Sequence, residues 1–303
     1  MAFVQDVLSG KKGLPSTTIK IIAVITMFID HLATIFFPTG DTLLVSIMHL
    51  VGKIAFVLFA FCIAEGFSHT SNRKKYALRL IVAAVLSEPV YNIALVKDPT
   101  LFFRQQNVIF TFFIAFCALC TIEKIKNKDG LKGKKILMVL TAIGGMFISE
   151  LTRTEYGCMG VGLVLIFYLF REKKVVLYIA SSLTYFFGYV ITLYISNIYN
   201  LWYSYVTYME DYERKKDILG YEPQFKFDLK SIISNLGSAS EAIWKYALEG
   251  LLVGAIVAPA IIMLYNGKKG RTLPKLAFYV FYPAHLMFLS NLMILIQFSK
   301  WIY

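Results

Sequence analysis

The chain has 303 residues, of which 57% are hydrophobic, 16% aromatic and only 17% charged. About a quarter of the residues in a soluble domain are charged, so this composition excludes one and points to a polytopic membrane protein. The net charge of +12 does not mark a nucleic-acid binder, because the lysines and arginines sit in short connections between apolar runs, as the positive-inside bias requires.

Apolar runs predict nine transmembrane helices, over about 19–37, 43–68, 75–96, 106–123, 135–151, 157–170, 174–196, 243–265 and 274–298. The expected fold is all-α, a polytopic helical bundle forming a single domain over 1–303. The first run, which follows Lys11 and Lys12, is too long for a cleavable signal peptide and lacks a small-x-small site. Alternate connections, from Lys11 and Lys12 to Lys268, Lys269, Arg271 and Lys275, hold twenty basic residues. The opposite ones hold four: Lys97, Arg104, Arg153 and Lys300. This asymmetry places the N-terminus in the cytoplasm and, with nine crossings, the C-terminus outside.

One connection is long. Residues 197–242 form an outer insertion rich in Tyr and Trp, from Tyr199 to Tyr221, expected to lie partly flat at the membrane surface. Ser238-x-x-Glu241 reads as a capping box opening the eighth crossing. Gly250-x-x-x-Gly254 is helix-packing material, within the bundle or between the subunits of a homodimer. Cys117-x-x-Cys120 lies in an apolar run without a second pair, which predicts core packing and no metal site.

Ionisable residues inside membrane segments are expensive and tend to mark functional sites. The first crossing carries Asp30 and His31. Lys20 and His31 are 11 positions apart, close to three turns, so they share one face with His31 roughly 16 Å deeper. In the second crossing His49 and Lys53 are one turn apart. Glu88, beside Pro89, and Asn92 belong to the outer half of the third. Gln105, Gln106 and Asn107 mark the mouth of the fourth, Glu150 and Glu155 flank the fifth and sixth, and His285 sits near the midplane of the ninth. All fall in one slab, from the midplane outward. Each also has a plainer reading: His49 and His285 as hydrogen-bonded glue between helices, Glu88 as a partner for backbone freed by Pro89. Asp30 need not touch His31 and has Lys53 or His49 as alternative partners. A second, inner group, Glu65, His69, Arg73, Lys74, Lys75 and Arg79, lies at the cytoplasmic ends near Lys20. Lys20 and Arg79 are its better phosphate candidates.

The ordered set Lys20-Ile-Ile-Ala-Val-Ile-Thr-Met-Phe-Ile-Asp30-His31, Gly52-Lys53-Ile-Ala-Phe56, Ala64-Glu65-Gly66-Phe67-x-His69-Thr70-x-Asn72-Arg73-Lys74-Lys75-Tyr76, Ser87-Glu88-Pro89, Gln106-Asn107-Val108, Tyr156-Gly157-x-x-Gly160-Val161 and Phe281-Tyr282-Pro283-x-His285 resembles the TraX family. These are bacterial polytopic membrane proteins named after the conjugative-transfer protein that acetylates the N-terminus of pilin. The family is related to a wider group of transmembrane acyltransferases, some of which carry a basic residue and, 11 positions later, a histidine in the first crossing. Lys20 stands here where Arg is more usual, and Lys53 where Arg is expected.

The resemblance implies a multi-pass enzyme of the bacterial cytoplasmic membrane, moving an acetyl group from cytoplasmic acetyl-CoA to an extracytoplasmic acceptor. That acceptor would be an amine or hydroxyl of a pilin-like peptide, a glycan or a lipid-linked molecule. The expected assignment is His31 as base with Asp30 as its partner. Lys53, His49, Glu88, Asn107 and His285 are expected as oxyanion or acceptor contacts, and Lys20, Arg79 and Arg73 as the phosphate-binding residues for acetyl-CoA. His31 carrying the acetyl group covalently is an alternative. So are a secondary transporter or flippase with a buried His/Glu/Lys proton relay, and a non-catalytic scaffold.

Overall fold

The computed structural model describes residues 13–38, 42–96, 105–219, 251–271, 274 and 277–302. Among them the chain is helical: α1 Ser16–Phe36, α2 Leu43–His69, α3 Arg73–Tyr91, α4 Val108–Lys126, α5 Lys134–Leu151, α6 Gly157–Leu169, α7 Lys174–Leu219, α8 Ala258–Met263 and α9 Ala277–Ile302. Six of these are long and apolar enough to cross a membrane. α6 and the stretch ending in α8 are apolar but shorter. The chain is therefore a membrane protein.

α2 and α6 form the centre. Both are apolar on every side, the pattern of a helix with neighbours all round. Phe56, Leu58, Phe61 and Phe67 of α2 and Met159, Leu163, Val164 and Phe167 of α6 are buried. α1 packs along α2, α4 and α5 flank α6, and α9 closes the bundle against α1 and α3. The outer helices instead expose large apolar side chains, such as Leu140 and Phe147 on α5 and Phe288 and Leu295 on α9. In water such a surface would aggregate, whereas in a bilayer it faces lipid.

Two expectations change and one is narrowed. The seventh run does not stop at 196: α7 continues unbroken for 46 residues, about 69 Å at 1.5 Å per residue. No Pro or Gly interrupts it between Gly188 and Gly220, so nothing in the sequence turns the chain into the membrane surface there. Residues 220–250, with the expected capping box Ser238-x-x-Glu241 and Gly250, lie outside the described residues. Gly254 packs on the ring of Tyr185 in α7, so closely that a Cβ there would collide with it; this glycine serves packing within the chain. Finally, Cys117 is exposed rather than in the core.

Candidate functional site

A cavity of about 540 Å³ enters the bundle between α1, α2, α3, α4 and α9. Lys20 of α1, Arg79 of α3, and Lys269 and Arg271 of the connection between α8 and α9 line one end. The deeper wall is apolar and aromatic, with Val24, Met27, Phe59, Phe112 and Tyr282. Met27, Phe59, Val108, Phe112 and Tyr282 also wall a smaller chamber of about 30 Å³, which holds Asp30, His31, Glu155 and Tyr156. Basic residues and His31 thus belong to adjoining spaces.

His31 is buried, and its partner is not Asp30. Its Nδ1 lies 2.6 Å from Nε2 of His285 on α9, with the two rings nearly parallel and their centroids 4.9 Å apart. The other nitrogen of His285, Nδ1, is 2.7 Å from the carbonyl oxygen of Phe281. A carbonyl only accepts, so His285 Nδ1 carries a proton, and in a neutral imidazole Nε2 is then an acceptor. His31 Nδ1–H must therefore donate to it. The lone pair of His31 is left on Nε2, the nitrogen a general base needs.

Asp30 turns to the second helix, where its Oδ1 accepts from Nδ1 of His49 at 2.8 Å. Gly52 makes this possible: a Cβ at that position would run into the Asp30 side chain. Lys53 lies on the α7 side of α2, its ammonium 6.0 Å from the ring of Tyr189.

Glu88 and Asn107 meet, but in a structural role. Glu88 Oε2 accepts from the backbone N–H (3.1 Å) and the side-chain amide (2.6 Å) of Asn107, and Oε1 accepts from Asn92 (3.3 Å). The Asn107 amide also donates to the carbonyl of Ala84 (2.9 Å), and its oxygen caps α4 by accepting from the N–H of Ile109 (3.0 Å). Both amide protons are committed, so neither remains for an oxyanion. Neither residue lines the two spaces.

The roof of the small chamber is irregular backbone. Gln106 N–H donates to Arg153 O (3.0 Å) and Glu155 N–H to Gln106 O (2.8 Å), which ties the connection before α4 to the one before α6. Arg153 and Tyr156 hold left-handed conformations, φ 54° and 64°, which cost non-glycine residues about 1–3 kcal/mol each when the surroundings enforce them. The ring of Tyr156 is fixed by stacking on Phe56, with centroids 3.6 Å apart. Non-helical backbone inside a membrane protein is tolerated where it is packed in protein or lines a cavity.

Comparison with known proteins gives a family. The model of the family described as TraX protein matches residues 16–208, which is more than half of the chain. The chain belongs to the TraX family. A relative named "Probable fimbrial assembly protein FimC, serogroup H1", from Dichelobacter nodosus, is 33% identical over 107 residues, spanning 33% of this chain and 43% of the relative. The match thus covers less than half of that relative's length. No solved structure matches.

The TraX match takes in α1 to α6 and most of α7 but ends before the second half of the site. His285, Tyr282, Lys269 and Arg271 all lie beyond it. Lys269 and Arg271 counted in the sequence only as topological charges. Tyr282 was only a motif residue there, yet its ring lies edge-on to His31, with centroids 6.2 Å apart, and its buried hydroxyl has no hydrogen-bond partner among the described residues. Arg73 departs from expectation: its guanidinium lies 4.4 Å over the ring of Phe67, and it does not line the large cavity. Glu65 does line it, but its carboxylate accepts from Tyr265 (2.5 Å) and His69 (2.7 Å).

Proposed function

We propose that this protein is a transmembrane acetyltransferase, taking the acetyl group of acetyl-CoA from the cytoplasm and passing it to an amine or hydroxyl acceptor outside. The observation that carries this reading is the adjacency of two spaces, a cavity with Lys20, Arg79, Lys269 and Arg271 at its mouth and an apolar deeper wall, and a chamber holding His31 with its lone pair on Nε2, which share Met27, Phe59, Val108, Phe112 and Tyr282 as walls. Cations at the mouth suit phosphates. The passage suits a thin, largely neutral arm, which would bring the thioester carbonyl to the chamber.

In this reading the chain crosses the bilayer nine times, with its N-terminus in the cytoplasm of a bacterium and its C-terminus outside. The acceptor attacks the thioester carbonyl carbon while His31 Nε2 takes its proton. The carbon–sulfur bond then breaks, the His31 imidazolium gives the proton to the departing sulfur, and the thiol leaves toward the cytoplasm. Tyr282, with its unpartnered hydroxyl, is placed to donate to the oxyanion. The fimbrial assembly protein among its relatives makes a pilin-like peptide the first acceptor to try.

The test is transfer of labelled acetyl from acetyl-CoA by the purified protein in proteoliposomes, with His31→Ala as control. Transfer lost in a variant that still melts like the parent supports the reading. Retained transfer excludes His31 as base. Movement of an acceptor driven by a pH gradient without acetyl-CoA would instead make the protein a transporter.

A further inference from the structure

We infer that the loop Gly267–Arg271 is a clamp for a phosphate group of the donor separate from the one held by Lys20 and Arg79, and that it selects donors bearing a ribose 3′-phosphate. The inference rests on the acetyl-CoA reading above.

The loop is a built feature. Gly267 and Gly270 both have φ 74°, a left-handed conformation that glycine adopts without steric cost. Gly270 also sits so close to Pro15 that a Cβ would stand 2.8 Å from the proline ring. The segment folds back on the first turn of α1. Ser16 N–H donates to Lys268 O (2.8 Å), and Thr17 N–H donates to Lys269 O (3.2 Å). The Thr17 hydroxyl lies within hydrogen-bonding distance of the carbonyls of both Lys269 (2.8 Å) and Arg271 (2.7 Å). These contacts consume the first free amides of α1, so an anion arriving here meets side-chain cations rather than a bare helix end.

Lys269 and Arg271 line the same cavity as Lys20 and Arg79, and among the described residues none of the four forms an ion pair with a carboxylate. Four cations without an ion-pair partner, facing one space against the single carboxylate of Glu65, point to an anionic ligand with more than one charged group. Their order along the cavity sorts those groups. Lys20 is nearly one turn deeper along α1 than Thr17, on which the loop rests, or about 4.5 Å. The inner pair therefore meets the diphosphate next to the pantetheine arm, and the outer pair meets the phosphate at the far end of the nucleotide.

The test is binding to the full-length protein in nanodiscs, comparing acetyl-CoA with its 3′-dephospho form. The parent is expected to prefer acetyl-CoA by about 10–100-fold, the range for charge-assisted hydrogen bonds. The double variant Lys269→Gln, Arg271→Gln should bind both ligands as weakly as the parent binds the dephospho form. Both residues are exposed, so the fold should tolerate the change. Gly270→Ala, which unseats the loop without removing a charge, should lose the same preference, while Lys20→Gln should weaken both ligands alike. Full discrimination in the double variant would overturn the clamp and leave the acetyl-CoA reading standing. Failure of the parent to bind either ligand would overturn both. Weakening seen only with phosphatidylglycerol in the nanodisc, and not with neutral lipid, would assign the loop to a lipid headgroup and overturn the proposal.

Discussion

His31 Nδ1 and His285 Nε2 are 2.6 Å apart although their residues are 254 positions apart in the chain, and the proton between them sits on His31. The bond from His285 to the Phe281 carbonyl dictates this. His285→Ala should leave the His31 tautomer unfixed, lowering kcat with little change in donor affinity and reshaping the pH–rate profile. His285→Gln, whose amide oxygen can accept from His31, should restore part of the loss. His31→Ala itself should cost about 10²–10⁴-fold, the range for a general base. Steady-state kinetics over a pH series checks all three.

Tyr282→Phe removes one hydroxyl and keeps the ring against both histidines. Loss of an oxyanion donor should lower kcat by about 10²-fold with KM unchanged. A variant with unaltered kcat would show that the hydroxyl does not contact the reacting group.

Gly52→Ala places a methyl where the Asp30 side chain lies. Overpacking of this kind should destabilise the protein by about 1–3 kcal/mol and break the Asp30–His49 pair. A lower melting temperature in detergent, with weaker transfer per folded molecule, is the expected result.

Asn107→Ala removes the cap of α4 and leaves Glu88 with fewer donors. The cost should be about 1–3 kcal/mol of stability. Because Asn107 does not line the chamber, kcat per folded molecule should hold. Thermal melts paired with activity normalised to folded protein separate the two effects.

Much of the bundle was readable from hydrophobic runs alone, because a helix in lipid must carry an apolar stretch of fixed length. α1 to α4 illustrate this, as does the placing of Lys20 and His31 in adjoining spaces. What stayed hidden depends on contacts between distant segments. Nothing near His31 announces that α9 supplies its partner, and nothing in Gln106-Asn107 or Arg153-Thr154 reveals that the two connections pair. Glu88 and Asn107 look like site residues by polarity and depth, but local hydrogen bonding already accounts for all that they offer. α7 outran its expected end because hydropathy fell while helix propensity did not.

The pairing of the connections before α4 and α6 has a consequence for transport across the bilayer. On the acetyltransferase proposal, two helices that begin at the level of the chamber would leave little protein between the nucleotide's side and the acceptor's side. A two-carbon fragment could change hands through it without either large partner leaving its own compartment, so the bundle would need no rocking motion and no open pore.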